Sequence, residues 1–360
     1  YGLALIFVLL VIALFGSFAI KDFDFPMVLS GLLGLYFLIC AYAAVGLFMS
    51  SLTSYQVVAA IMTLVVLGLL SYVKNLWQEF ELVREITYWL SISGRSGEFI
   101  RGLICSEDVI YFITVSALFL VLTVIRLQAN RQKAPWTMTI GKYASVLLIA
   151  SVIGYFSSRP ALMTYYDATA TKSNTLTENS QDVVAKMKGG LTITTYVNAL
   201  DLNDLWTAMP AQVKQDQERF RQYVRFKPEI KMKYVYYYDT VIDPRQDERW
   251  PDKNTQERFQ EIVKGYHLDS TMFLAPTTIR KQIDLWPEGN RFVRLLERES
   301  GEKTFLRIFR GLDRMPREAE ITAAMKRLAM TLPTVGVVTG HGERNIHQTG
   351  DRNYTSFGED

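Results

Sequence analysis

Residues 335–344 read VGVVTGHGER, a β-branched apolar run that breaks into Thr339, Gly340, His341, Gly342 and Glu343. A strand ending in a glycine-rich tip is where α/β proteins often place ligand-binding groups. His341, one of three histidines in the chain, and Glu343 supply a donor and an acceptor suited to a sugar or a peptide. Gly340 and Gly342 allow a sharp turn into a following helix. The same residues also read as the hydrogen-bonded end of a buried strand, and both readings stand. Turnover is the weakest reading. H-E-x-x-H and G-x-S-x-G are absent, His267, His341 and His347 form no recognised pattern, and Cys40 and Cys105 form no C-x-x-C. We therefore expect no catalytic constellation, no metal site and no cofactor. No G-x-x-x-x-G-K-[ST] occurs either, so ATP has no P-loop here and must be bound by a partner subunit.

These residues sit in a chain of two compositions. Residues 1–142 hold 17 charged side chains and residues 143–360 hold 58. The first part is hydrocarbon-rich and the second resembles a soluble domain. The tail nets only +2, too little to suggest nucleic acid. With no cysteine in it, the tail is no disulfide scaffold, and its length suffices for a core. The chain starts at Tyr1 inside an apolar segment and stops on TSFGED, which reads as a fragment open at both ends.

Crossing the hydrocarbon takes about 20 apolar residues. Residues 3–20, two spans within the uncharged 25–73, residues 109–125 and a short 143–158 give five expected spans, with a polar break SSLTSYQ at 50–56. The connection 126–142 carries Arg126, Arg131, Lys133 and Lys142 with no acid, whereas 74–108 and 21–25 are net acidic. By the positive-inside rule the first faces the cytoplasm and the others face out, which delivers 159–360 outside. Within 74–108, two short amphipathic helices are expected at the outer interface, followed by Ser106 as a plausible N-cap with Glu107 and Asp108 in the first turn.

After the fifth span, residues 159–190 read as a polar tether and a first capped helix. LTITTYVN (191–198) and KMKYVYYYD (231–239) alternate as strands do. Residues 211–226, 255–266 and 317–331 have helical spacing, TMFLA (271–275) and TVGVV (334–338) are strand-like, and 291–309 reads as a hairpin. Strands alternating with helices predict an α/β domain over 191–360 with a largely parallel sheet.

Two resemblances follow from particular residues. GLFMSSLTSYQVVAAIMTL, with the later pattern EF-x-RG…D-x-YF at Glu98, Phe99, Arg101, Gly102, Asp108, Tyr111 and Phe112, resembles an ABC-2 type permease of the gliding-motility transporter kind over residues 1–128. That family usually shows His-Phe-Glu-Asp where this chain has Arg-Ser-Gly-Glu. The tail resembles the GldG-like auxiliary subunit of the same transporters, through D-x-T…NTLT-x-x-S (Asp167, Thr169, 174–177, Ser180), ITTYVN and VGVVTGHGE. The resemblance implies a multi-domain protein: a transmembrane helical bundle (1–128), a cytoplasmic linker (129–142), a fifth span (143–158) and an extracytoplasmic Rossmann-like α/β domain. It implies a bacterial inner-membrane location with the tail in the periplasm, a separate ABC ATPase as partner, a permease dimer in the lipid bilayer, and no enzyme activity of the chain's own. A binding or sensing module for glycan or peptide is the alternative. A membrane-anchored hydrolase lacks its motifs, and the uncharged spans disfavour an ion-coupled carrier.

Overall fold

The computed structural model of the chain describes residues 2–92, 94–131, 135–159, 162–307, 315–331, 334, 336 and 338. They form two compact units, residues 1–176 with 221–228, and residues 177–220 with 229–360.

The first unit is helical. Its elements are α1 (Gly2–Ala19), α2 (Phe25–Leu52), α3 (Gln56–Tyr72), α4 (Glu81–Leu90), α5 (Arg95–Ile100), strand β1 (Leu103–Cys105), α6 (Ser106–Arg131), α7 (Trp136–Ser157) and strand β2 (Tyr165–Asp167). Among the described residues, four helical segments are long and apolar enough to cross a membrane: α2, α3 continued by a 3-10 turn to Asn75, α6 and α7; in α1 the apolar stretch Ile6–Ala19 is shorter. Their outward faces carry large apolar side chains such as Leu64, Leu69, Leu148 and Phe156, which in water would be a costly surface and in lipid is the expected one. The chain runs up and down, so the start of α2, the end of α3, the start of α6 and the end of α7 share one end of the bundle. Arg126 and Arg131 near the end of α6 and Lys142 in the first part of α7 lie towards the other, so the helices take up most of the expected connection 126–142.

At that shared end the packing is dense. Phe99, Tyr111, Phe112 and Ile92 are buried together, with Phe37 stacked on Phe112 at a centroid distance of 6.1 Å. Helix α5 packs into this end, burying Arg95 and Phe99. Two expectations are corrected here. Ser106 is not a side-chain cap; its hydroxyl accepts from Thr164 N (2.9 Å) and its N–H donates to Thr164 O (3.0 Å). Nor is the segment after the fifth span a tether throughout, because β2 pairs antiparallel with β1.

The second unit continues with α8 (Glu178–Lys186), β3 (Leu191–Asn198), α9 (Val213–Arg219), then α10 (Arg221–Phe226) of the first unit, β4 (Ile230–Tyr237), α11 (Pro244–Arg249), α12 (Thr255–Tyr266), α13 (Pro276–Gln282), β5 (Val293–Arg298), β6 (Lys303–Leu306) and α14 (Glu318–Ala329). The strand order is β4-β3-β5-β6. Only β3 and β4 are parallel; β5 and β6 run antiparallel. The described sheet is therefore mixed where a largely parallel one was expected: α11, α12 and α13 lie between β4 and β5, yet β5 enters beside β3 antiparallel and turns back through the hairpin into β6, while the expected strand at 334–338 falls partly outside the described residues. As the inner strand, β3 has both faces covered: Val197 packs with Phe259 and Phe273, Tyr196 with Ile279 and Leu295, which follows from side chains alternating across the sheet. Helix α12 starts at a capping box, with Asn254 and Glu257 bonding each other's backbone N–H. Residues 271–275 are not a strand. Ser270–Met272 is a 3-10 turn, and Leu274 makes one bridge to Tyr237.

Candidate functional site

The motif residues of the two sequence halves meet in the first unit, at the end of the bundle where α4, α5 and β1 lie. Arg95 opens α5 and is buried. Its Nη1 is 2.8 Å from Asp108 Oδ1 and 3.3 Å from Glu107 Oε1 in the first turn of α6. Its remaining donors reach Ser91 O (3.3 Å) and Trp89 O (3.2 Å), and the guanidinium lies 4.2 Å over the Tyr111 ring. The Tyr111 hydroxyl donates to Leu90 O at 3.0 Å. One planar cation thus ties α4, α5 and α6 together, a use suited to the fixed fork of arginine. Burial opposes the Arg95 charge, but Glu107 and Asp108 outweigh it and hold its pKa above the ordinary value.

Arg221 extends the cluster, with Nη1 3.6 Å from Glu98 Oε2 and Nη2 3.8 Å from Asp108 Oδ2. Arg225 donates to Asn174 O (2.9 Å) and lies 4.3 Å over the Tyr165 ring. Burial, then repulsion from Arg221, lowers the Arg225 pKa. Burial raises the Tyr165 phenol to about 12 and pushes the Cys105 thiol up. Arg95, Arg101 and Arg221 thus pair with Glu98, Glu107 and Asp108 in one cluster.

The second half of the site is a turn around Asp167. Its Oδ1 accepts from Thr169 N (3.0 Å) and Thr169 Oγ1 (2.6 Å), and its Oδ2 from Asn174 N (2.9 Å). Burial opposes ionisation, but these hydrogen bonds prevail and hold the carboxyl below its ordinary range. The turn then reaches the end of α5 and the two residues that follow it. Asn174 Nδ2 donates to Arg101 O (2.8 Å), Ala168 N to Gly102 O (2.7 Å), and Ala170 N to Asp24 Oδ2 (2.7 Å). Asp24 also caps α2 by accepting from Met27 N. Gly102 has φ +85, and a Cβ there would stand 2.7 Å from Thr169 Cγ2. A further close approach joins α4 to α7, because a Cβ on Gly154 would fall 2.2 Å from the Trp89 ring.

Of the sequence-expected residues, Glu98, Phe99, Gly102 and Asp108 all lie in this joint. Arg101 contributes its carbonyl, while its side chain is 74 % exposed and pairs only with Glu98, at 3.4 Å. Thr339, Gly340, His341, Gly342 and Glu343 lie outside the described residues. Sequence reasoning missed Asp24, Arg95, Glu107, Arg221, Arg225 and the Trp89–Gly154 contact as members of the site. One signal was present for Arg95: it opens the Arg-Ser-Gly-Glu that stands where the resembled family has His-Phe-Glu-Asp.

In the second unit, the ends of β3 and β4 are closed by polar side chains. Asn198 Nδ2 donates to Asp239 O (2.9 Å) and Asn290 O (2.7 Å), and Arg280 forks onto the Asp239 carboxylate. Deeper in the sheet, Arg294 is paired in bidentate fashion with Asp216 at 2.7 and 2.8 Å, both buried. Arg280 with Asp239 and Arg294 with Asp216 thus form two charge-paired forks. No cluster of His, Cys, Asp and Glu suited to a metal occurs among the described residues.

The chain matches no family model, no curated protein and no solved structure.

Proposed function

We propose that the chain is the permease and auxiliary part of an ABC transporter of the gliding-motility kind, an ABC-2 type permease joined to a GldG-like domain. It works in the bacterial inner membrane with the second unit in the periplasm, and moves or anchors an envelope substrate. ATP is hydrolysed by a separate ATPase chain, and two permeases pair in the bilayer. The observation that carries this reading is the joint itself. Two carbonyls of the stretch whose pattern resembles the permease outer loop, Arg101 O and Gly102 O, accept from Asn174 Nδ2 and Ala168 N of the stretch whose pattern resembles the auxiliary segment, within one folded unit. A shared joint is what two subunits that move together require. The parallel β3–β4 pair supports a Rossmann-like reading of the second unit, and its antiparallel hairpin is a departure from that pattern.

The alternative, a membrane-anchored module binding glycan or peptide, is favoured by a cleft of about 410 Å³ beside α12. Purification from native membranes in mild detergent distinguishes the two. The transporter reading expects a P-loop ATPase in fixed stoichiometry and ATP hydrolysis by the complex in nanodiscs, with none by the chain alone. A chain that purifies without an ATPase while fully functional in cells contradicts it.

A further inference from the structure

We propose that the cleft of the second unit is a binding site for an acidic saccharide about two rings long. It deepens the alternative reading above and needs neither an ATPase nor transport. The floor is aromatic: Phe259 and Phe273 are buried and meet edge to face at 5.4 Å, and Tyr238 stacks on Phe259 at 4.0 Å with the rings 7° from parallel. These rings pack on one another and leave an apolar floor, which suits the C–H surface of a sugar and gives little to a fully polar ion. Above it, Gln256, Gln260 and Lys264 follow one another along α12 at intervals of four residues. At 1.5 Å rise per residue this makes a polar ladder about 12 Å long, the length of two linked sugar rings. Amide side chains both donate and accept, as vicinal hydroxyls demand.

Charge narrows the class. Lys264 is the one charged residue among the described lining residues, and no carboxylate lines the cleft. Cations and metals are therefore unsuited, and an anionic substituent at the Lys264 end of the ladder is favoured. The volume of about 410 Å³ lies within the range of small-ligand sites. No hydrogen bond joins the side chains of Gln256, Gln260 or Lys264 to another described residue, so these three are available to a ligand, while the Tyr238 ring is held by its stack on Phe259.

Ligand-observed NMR and calorimetry on the full chain in nanodiscs test this with three probes: digalacturonate, lactose and phenylacetate. Digalacturonate is expected to bind, lactose to bind at least about fivefold more weakly, and phenylacetate not to compete. Lys264→Gln should abolish the preference for the acidic sugar, costing about fivefold as for a partly exposed ion pair. Gln260→Leu should weaken both sugars while the thermal unfolding of the second unit stays unchanged. The proposal is overturned if no sugar binds at 10-millimolar order, if phenylacetate displaces digalacturonate, or if Lys264→Gln leaves the preference intact. ATPase partnership is not probed by this experiment, so either reading can fail alone.

Discussion

Replacing Gly102 by alanine should open the joint, and the structure says by how much. Two costs add. At φ +85 an L side chain is disfavoured by about 1–2 kcal/mol. The new Cβ also meets Thr169 Cγ2 at 2.7 Å and Met27 Cγ at 3.1 Å, and such overpacking costs roughly 1–3 kcal/mol. The sum, about 3 kcal/mol, is close to a hundredfold in an opening equilibrium. Cys105 reports that opening directly, since it is fully buried in β1, whose partner strand leads into the Asp167 turn. With Cys40 replaced by serine in the full chain, the Cys105 labelling rate at fixed pH measures the open fraction. Thr169→Ser deletes the nearer clashing methyl and keeps the hydroxyl that bonds Asp167, so the double variant should recover the larger steric part and retain the φ cost and the Met27 contact, at least about tenfold over wild type. Such a recovery is the non-additivity that residues in contact show. If Gly102→Ala labels no faster than wild type, or Thr169→Ser gives it no relief, the joint is not packed as argued.

Arg95→Met should destabilise the first unit by about 3–5 kcal/mol, because Asp108 and Glu107 are left buried beside a lost cation; unfolding in mixed micelles measures it, and a further Asp108→Leu should return part of the loss. Gly154→Leu should break the packing of α7 on Trp89, seen as faster proteolysis after α4, and Trp89→Ala in the same chain should relieve it. The joint should also loosen in acid. The Asp167 pKa is lowered in the folded state, so its contribution is fully present above the unfolded value of about 3.9 and is lost as pH falls through and below it. Amide exchange at residues 168–174 should therefore accelerate below pH ~4, and Asp167→Asn should make that exchange fast at neutral pH.

The strand 191–198 and the helix 255–266 were legible because local pattern settles them: alternating β-branched residues in one case, Asn254 and Glu257 bracketing an amphipathic run in the other. The hairpin 293–306 was legible for the same reason, but its neighbour was not. Nothing local in β5 specifies antiparallel pairing with β3, about a hundred residues earlier, so a parallel sheet was expected. The Asp167 turn was hidden by composition. Its Thr, Ser, Asn and Asp residues are those of a linker, and their order comes from carbonyls of Arg101 and Gly102 some seventy residues away. Arg95 was legible only as a departure from a resembled motif, since pairing with Asp108 depends on how α5 meets α6.

Labelling topology tests most directly whether this joint sits on the outer side of a membrane protein. Single cysteines at Ser96, Ser173 and Gln132, in a chain lacking Cys40 and Cys105, are exposed to an impermeant thiol reagent in intact and in permeabilised cells. The account predicts that Ser173→Cys, in the exposed part of the Asp167 turn, is labelled in intact cells, and that Gln132→Cys is labelled only after permeabilisation. Labelling of Gln132→Cys in intact cells with Ser173→Cys silent would contradict it.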